Sequence, residues 1–388
     1  MNPLVQQVRH IFESNFTAKP IIIRAPGRIN LIGEHTDYNG GLVLPAAINK
    51  ATFVALAPSK SNMGTWISVD MNEQLEVDFA DITPRKTHTW ANYILGVIEQ
   101  FNVLGKAVAA FDCVIAGDIP IGSGLSSSAS LESAIAYAIN DVQENKINSQ
   151  ELALLVQRAE NAFIGVQCGI MDMYASIHGK SEQAMLLDCE TLECKYFPLE
   201  LGPYSIVLFN SGVKHKLVES EYNLRRQQCQ LGLMYFREKF DANIPNLSQV
   251  PMAYLEASEG MMDPVIYKRC KYIIEENARI LGACENLAVG DLAAFGSKMR
   301  ATHAGLQHLY EVSCPELDFL VDSLDAEEAV LGSRLMGGGF GGCTINLIKS
   351  EDVEAIYKKI SAEYKLKTGI NVEMYLVQTA DGVGKVND

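Results

Sequence analysis

Two stretches of the chain concentrate side chains that can do chemistry. The first, Asn30-Leu31-Ile32-Gly33-Glu34-His35-Thr36-Asp37-Tyr38-Asn39-Gly40-Gly41, sets two carboxylates and an imidazole between the apolar runs Leu31-Ile32 and Leu42-Val43-Leu44. Carboxylates that accept bonds from vicinal hydroxyls are how proteins fix neutral sugars, and the planar fork of Arg28 lies close by in sequence. Glu34, His35 and Asp37 are therefore candidate sugar ligands. Two plainer accounts stand beside this one. Tyr38-Asn39-Gly40-Gly41 is good turn chemistry for a solvated hairpin. His and Asp are also metal-ligand types, although Glu34-His35-x-Asp37 has no recognisable ligand spacing.

The second stretch is the glycine- and serine-dense turn from Gly117 to Glu132. It joins an alternating run, Phe111 to Ala116, to the good helix formers of Leu131 to Ile139, so it feeds a helix N-terminus. The first N–H groups of a helix lack intrahelical partners and the macrodipole is positive there, so a phosphate can collect donors without a formal cation. Gly122, Ser123, Gly124, Leu125, Ser126, Ser127 and Ser128 form the candidate cradle. No Lys follows as in a Walker loop, and the third glycine of a dinucleotide fingerprint is missing. A serine N-cap alone would also account for part of the pattern.

Three further features need a place. Asp172 sits in the apolar run Cys168-Gly169-Ile170-Met171-Asp172-Met173-Tyr174 and is either a buried, paired carboxylate or a catalytic one. Trp90 and Tyr93 share a helical face, fit for stacking on a base or for ordinary core packing. Met336 to Cys343 holds five glycines in six residues, a run that lets backbone approach backbone or phosphate closely.

The elements that must position these groups follow from periodicity. Val5 to Phe16 reads as an amphipathic helix, Ile21 to Ile23 as a buried strand, and Pro26-Gly27 as a break that presents Arg28 at a bend. Strands are expected at Ala51 to Ala57, Thr65 to Val69 and Leu75 to Phe79, then a helix from Trp90 to about Phe101 and another from Ser149 to Phe163. Ala184 to Leu187 and Ile206 to Phe209 look like buried strands. Helices then dominate, over Glu221 to Lys239, Pro264 to Leu281 and Asp291 to His303. The strand Thr344 to Ile348, the helix Asp352 to Lys365 and the strand Asn371 to Val377 close a βαβ-like unit.

With 388 residues, 48% of them hydrophobic and 20% charged, the chain has room for two domains with substantial cores. A net charge of −15, from 47 acidic against 32 basic residues, speaks against general nucleic-acid or anionic-membrane binding. Nine cysteines without close CxxC pairs, an odd total, fit a reduced, cytoplasmic protein. Met1 to Lys19 reads as neither signal peptide nor membrane span.

Taken together, these stretches resemble the GHMP family of small-molecule kinases. Arg24 to Asn39 is similar to the sugar signature of its galactokinase members, Gly117 to Glu132 to the nucleotide loop, and Met336 to Cys343 to the C-terminal glycine-rich motif. Trp90 to Tyr93, Cys168 to Asp172 and Glu221 to Arg226 match in the same order. The resemblance implies an α+β, two-domain fold: a mixed α/β N-terminal domain over 1–205, a ferredoxin-like α+β domain over 206–388, and the active site between them. It further implies transfer of the ATP γ-phosphate to the anomeric hydroxyl of α-D-galactose. Arg28 and Asp172 are then the catalytic pair, and Glu34, His35, Asp37, Gly169 and Tyr222 meet the sugar. Trp90, Tyr93 and the residues from Gly122 to Ser128 hold the nucleotide, with Ser128 and Glu160 near Mg2+. Separately from the resemblance, a monomer that binds no nucleic acid or membrane is expected. Alternatives within and beyond the family are a kinase for a modified hexose, such as galacturonate or N-acetylgalactosamine, and a silent galactose and ATP sensor. Met173 and Met336 depart from the family pattern, where Gln and Thr are frequent, without removing a group given a chemical role.

Overall fold

Val5, Val8 and Phe12 fall on one side of helix α1 (Pro3–Asn15), which Asn2 caps by accepting from the Leu4 N–H at 2.8 Å. In the computed structural model, which describes residues 2–120, 122–213 and 218–387, that side packs on a six-stranded sheet. Its strands are β1 (Ile21–Asn30), β3 (Pro45–Pro58), β4 (Met63–Ser68), β5 (Glu73–Asp78), β6 (Phe111–Gly117) and β13 (Gly384–Lys385), in the order β13-β1-β3-β6-β4-β5. Helices α2 (Ala91–Val103), α3 (Ser127–Val142), α4 (Ser149–Ala159) and α5 (Met171–His178) cover the other face. In β3, Phe53 and Ala55 join the core under α1 while Val54 and Leu56 join the core under α2 to α5. Both faces are dry, which is why this strand is apolar at nearly every position instead of at every second one.

The second half is built on β9 (Tyr204–Asn210), β10 (Val330–Leu335), β11 (Cys343–Lys349) and β12 (Glu373–Val377), ordered β10-β11-β9-β12 with every neighbouring pair antiparallel. The parallel strands β11 and β12 flank β9 and are joined by α11 (Val353–Thr368), so the expected βαβ-like unit is a split one and the sheet has ferredoxin-like order. Helices α6 (Val218–Lys239), α7 (Met252–Ala257), α8 (Pro264–Ala288), α9 (Leu292–Gly305) and α10 (Pro315–Asp325) pack around it. A small sheet of β2 (Leu42–Val43), β7 (Gln183–Asp188) and β8 (Cys194–Pro198) lies alongside. Ile29, Leu31 and Leu44 share one core with Ile280, Phe295 and Leu347, so the two halves meet through continuous apolar packing. Met173 and Met336 are buried in these cores. Among the described residues no helix is long and apolar enough to cross a membrane.

Two sequence expectations need correction, and one of the alternative accounts falls. Pro26-Gly27 does not end the first strand, since β1 continues to Asn30 and the disturbance is a register shift against β3 between Pro26 and Arg28. The helix expected to reach Phe163 stays α-helical only to Ala159, and its last turn, Glu160–Ile164, widens to i→i+5 spacing. The Asn30 to Gly41 segment is no solvated hairpin, because Glu34, His35, Thr36 and Asn39 are all buried. Ile121, within the glycine-serine turn, lies outside the described residues.

Candidate active site

The loop after β1 is held by its own side chains: Thr36 Oγ1 donates to Gly33 O and Leu42 O, and Asn39 Nδ2 to His35 O at 2.9 Å. Glu34 inside it is met by Arg334 of β10, a fully buried guanidinium that donates to Glu34 Oε1 from both terminal nitrogens at 3.1 Å. The Gly337 N–H adds a third bond to the same oxygen at 2.9 Å. Glu34 Oε1 is therefore saturated. His35 shares a bond of 2.8 Å between Nδ1 and Tyr38 Oη, and burial pushes it down to about 3, so the ring is neutral. Asp37 is pushed up to about 7, first by burial and then by the neighbouring charge of Asp172. Only glycine fits at 169, where a Cβ would lie 2.0 Å from Asp37 Oδ2. The Tyr222 ring stands 5.4 Å from that of His35. Together with Arg28 and Asp172 these groups line a cavity of about 220 Å3.

Asp172 is in the first turn of α5, where the helix dipole favours a carboxylate. Arg28 grips it as a fork, Nε to Oδ1 and a terminal nitrogen to Oδ2, both at 2.8 Å. The remaining terminal nitrogen donates to Gly124 O at 2.6 Å, which ties the fork to the glycine-serine turn. Burial opposes the charge of Arg28, but Asp172 and Glu34 outweigh it and hold the guanidinium above its ordinary range. The Ser126 hydroxyl also donates to Asp172 Oδ2.

From this pair a channel of about 240 Å3 runs past Gly122, Gly124, Ser126, Ser127 and Ser128. A second pocket of about 270 Å3 adjoins it, walled by Trp90, Tyr93, Asp70 and Leu131 and sharing Ser127 and Ser128 with the channel. Trp90 caps the start of α2 and donates Nε1 to Glu73 at 2.6 Å. Ser123 turns inward instead, its hydroxyl on Pro120 O at 2.6 Å, and the Leu125 side chain is buried while its carbonyl accepts from the Arg28 N–H. Ser128 Oγ and Glu160 Oε1 stand 3.0 Å apart, and burial raises the Glu160 pKa. One hydroxyl and one carboxylate suit a hard divalent ion that keeps waters and brings its own phosphate oxygens. Among the described residues no group of three His, Cys, Asp or Glu side chains could hold a metal by itself.

The turn at Met336 to Cys343 closes the site from the second half. Gly337, Gly339, Gly341 and Gly342 all take positive φ, a backbone that L side chains rarely adopt, and Gly337 and Gly338 border both the channel and the cavity. Arg334, three residues before the first glycine, belongs to none of the sequence motifs, and its one signal in the sequence is a charge inside a largely apolar strand.

Residues 10–58 match the model of the galactokinase galactose-binding signature, 92–180 the N-terminal domain of GHMP kinases, and 270–366 their C-terminal region. The chain is 38% identical to a galactokinase of Roseiflexus sp. (strain RS-1), over 98% of this chain and 97% of that one. The chain belongs to the galactokinase family. Its fold superposes on the crystal structure of Lactococcus lactis galactokinase complexed with galactose with a TM-score of 0.94 at 33% identity, covering 99% of this chain and 100% of that one. The mevalonate kinase of Methanococcus jannaschii shares the fold alone, with a TM-score of 0.67 at 18% identity over 94% of this chain and 99% of that one. The galactokinase signature spans Arg28, Glu34, His35 and Asp37, and the N-terminal kinase match spans the glycine-serine turn, Glu160 and Asp172.

Proposed function

We propose that the protein transfers the γ-phosphoryl group of ATP to the anomeric hydroxyl of α-D-galactose, giving galactose 1-phosphate and ADP. The observation that carries this reading is the Arg28–Asp172 fork, which stands where the channel meets the cavity. Family membership and the galactose in the Lactococcus lactis complex support it. Phosphoryl transfer asks for alignment and charge neutralisation more than for covalent help.

Adenine stacks against Trp90 and Tyr93, while the backbone of Gly122 and Gly124, the Ser127 hydroxyl and the free N–H groups at the start of α3 hold the phosphates. Ser128 and Glu160 would hold Mg2+, which when bound supplies positive charge against the phosphate oxygens. Glu34, His35, Asp37, Gly169 and Tyr222 fix the sugar with its anomeric hydroxyl toward Asp172. The sugar oxygen bonds to the γ-phosphorus as the bond from that phosphorus to the β,γ-bridging oxygen breaks; ADP leaves with the electron pair and the hydroxyl proton passes to Asp172. Arg28 keeps Asp172 oriented and sets its charge beside the phosphoryl group in transit. A silent sensor has no use for this buried fork.

The test is ADP release from galactose, ATP and Mg2+ by the purified protein, with the phosphate position read by phosphorus NMR. No ADP with galactose, or a higher kcat/KM for galacturonate or N-acetylgalactosamine, would sink the reading. The same proposal has the protein acting as a monomer in a reduced cytoplasm: all nine cysteines are unpaired, and the charge of −15 repels nucleic acid. Light scattering checks the monomer.

A further inference from the structure

Ser126 is the N-cap of α3, yet it does none of the things an N-cap serine ordinarily does. Such a serine takes extended backbone and turns its hydroxyl onto an N–H of the first helical turn. Ser126 instead has φ 59° and ψ 50°, the left-handed region, and makes no side-chain cap bond. Its hydroxyl goes to Asp172 Oδ2. An L side chain held in this backbone conformation is strained, and strain that the surroundings maintain is a pointer to function.

The distribution of donors on Asp172 gives that pointer a direction. A carboxylate oxygen has two lone pairs. Among the described residues, Oδ2 takes Ser126 and an Arg28 terminal nitrogen, and is full; Oδ1 takes Arg28 Nε alone, and has one lone pair open. We propose that Ser126 is a positioning residue for Asp172, fixing the rotation of the carboxylate so that the open lone pair of Oδ1 is the one offered to the anomeric hydroxyl. The left-handed backbone is what aims the hydroxyl at Asp172. It also leaves the first N–H groups of α3 without a side-chain cap and so open to phosphate. The proposal rests on the kinase reading above, and it removes Ser126 from the group of residues whose side chains grip the nucleotide.

Two substitutions separate this role from a merely structural one. Ser126→Gly removes the hydroxyl and relaxes the backbone, whereas Ser126→Ala removes the hydroxyl and keeps the strain. Melting temperature should therefore rise or hold in Ser126→Gly and fall in Ser126→Ala. Turnover should fall in both, by roughly ten- to a hundred-fold, because a misaimed carboxylate loses alignment with the sugar. KM for galactose and for ATP should stay within about two-fold in both. A Ser126→Gly enzyme as fast as wild type overturns the proposal, and so does one whose loss lies in KM for ATP with kcat kept, which would return Ser126 to the phosphates. Wild-type protein that makes no ADP from galactose overturns the kinase reading itself, a result the variant comparison cannot mimic.

Discussion

Asp37 sits among charges that work against its own ionisation. Burial and Asp172 push it up to about 7, so its carboxylate is charged above that pH and protonated below it. Sugar hydroxyls donate best to the charged form. KM for galactose should therefore rise as pH falls through about 7, and Asp37→Asn should abolish that limb while raising KM throughout; initial-rate kinetics from pH 5.5 to 8.5 give the answer, in steps of about half a unit. The unliganded fold binds this proton more tightly than the unfolded chain does, so stability falls as pH climbs from the ordinary carboxyl value of 3.8 toward 7. Asp172 makes the sharper kinetic prediction. Asp172→Ala should keep ATP binding, measured by calorimetry, and lose turnover by about a hundred-fold or more, since both the acceptor and the partner of Arg28 vanish. Turnover within a few-fold of wild type would move the chemistry elsewhere.

At the scale of elements, the turn before α3 was legible because everything that defines it is local: an alternating strand, a glycine-serine turn and good helix formers in succession. The widened turn at Glu160–Ile164 was not, since the apolar repeat of α4 runs on without a proline or glycine to mark the change. The burial of the Glu34 loop was not legible either. Tyr38-Asn39-Gly40-Gly41 reads as surface because it is turn-forming, and what covers the loop comes from far along the chain: Tyr272 of α8 donates to Glu34 O, and Glu276 accepts from the Gly33 N–H. Arg334 of β10 belongs to the same distant set, and it makes the test. Lysine carries one point charge where the guanidinium serves Glu34, Leu31 O, Asn30 O and Leu335 O at once. Arg334→Lys should raise KM for galactose about ten-fold with kcat nearly kept, and lower the melting temperature, because a buried carboxylate loses most of its partners. An unchanged KM would mean that Glu34 needs no support.

For the whole molecule, the sequence suggested two halves, and the sheets are indeed distinct, yet the packing is shared. The core that joins Ile29 and Leu44 to Phe295 and Leu347 belongs to neither half alone, and β13 returns from the C-terminal end to pair with β1. A fragment ending at residue 205 should therefore expose this core and fail to fold, judged by circular dichroism and hydrogen exchange, while the full chain should melt in one calorimetric transition. Independent folding of the fragment would contradict that. The wiring of Glu34 has one more effect, on anyone who would recombine the protein. Its carboxylate answers to an arginine 300 positions away and to a glycine next to the glycine-serine channel. A chimera that imports a relative's sugar loop alone would inherit the ligands without their support. Breeding a new sugar preference here means transplanting the loop and the end of β10 as one heritable unit.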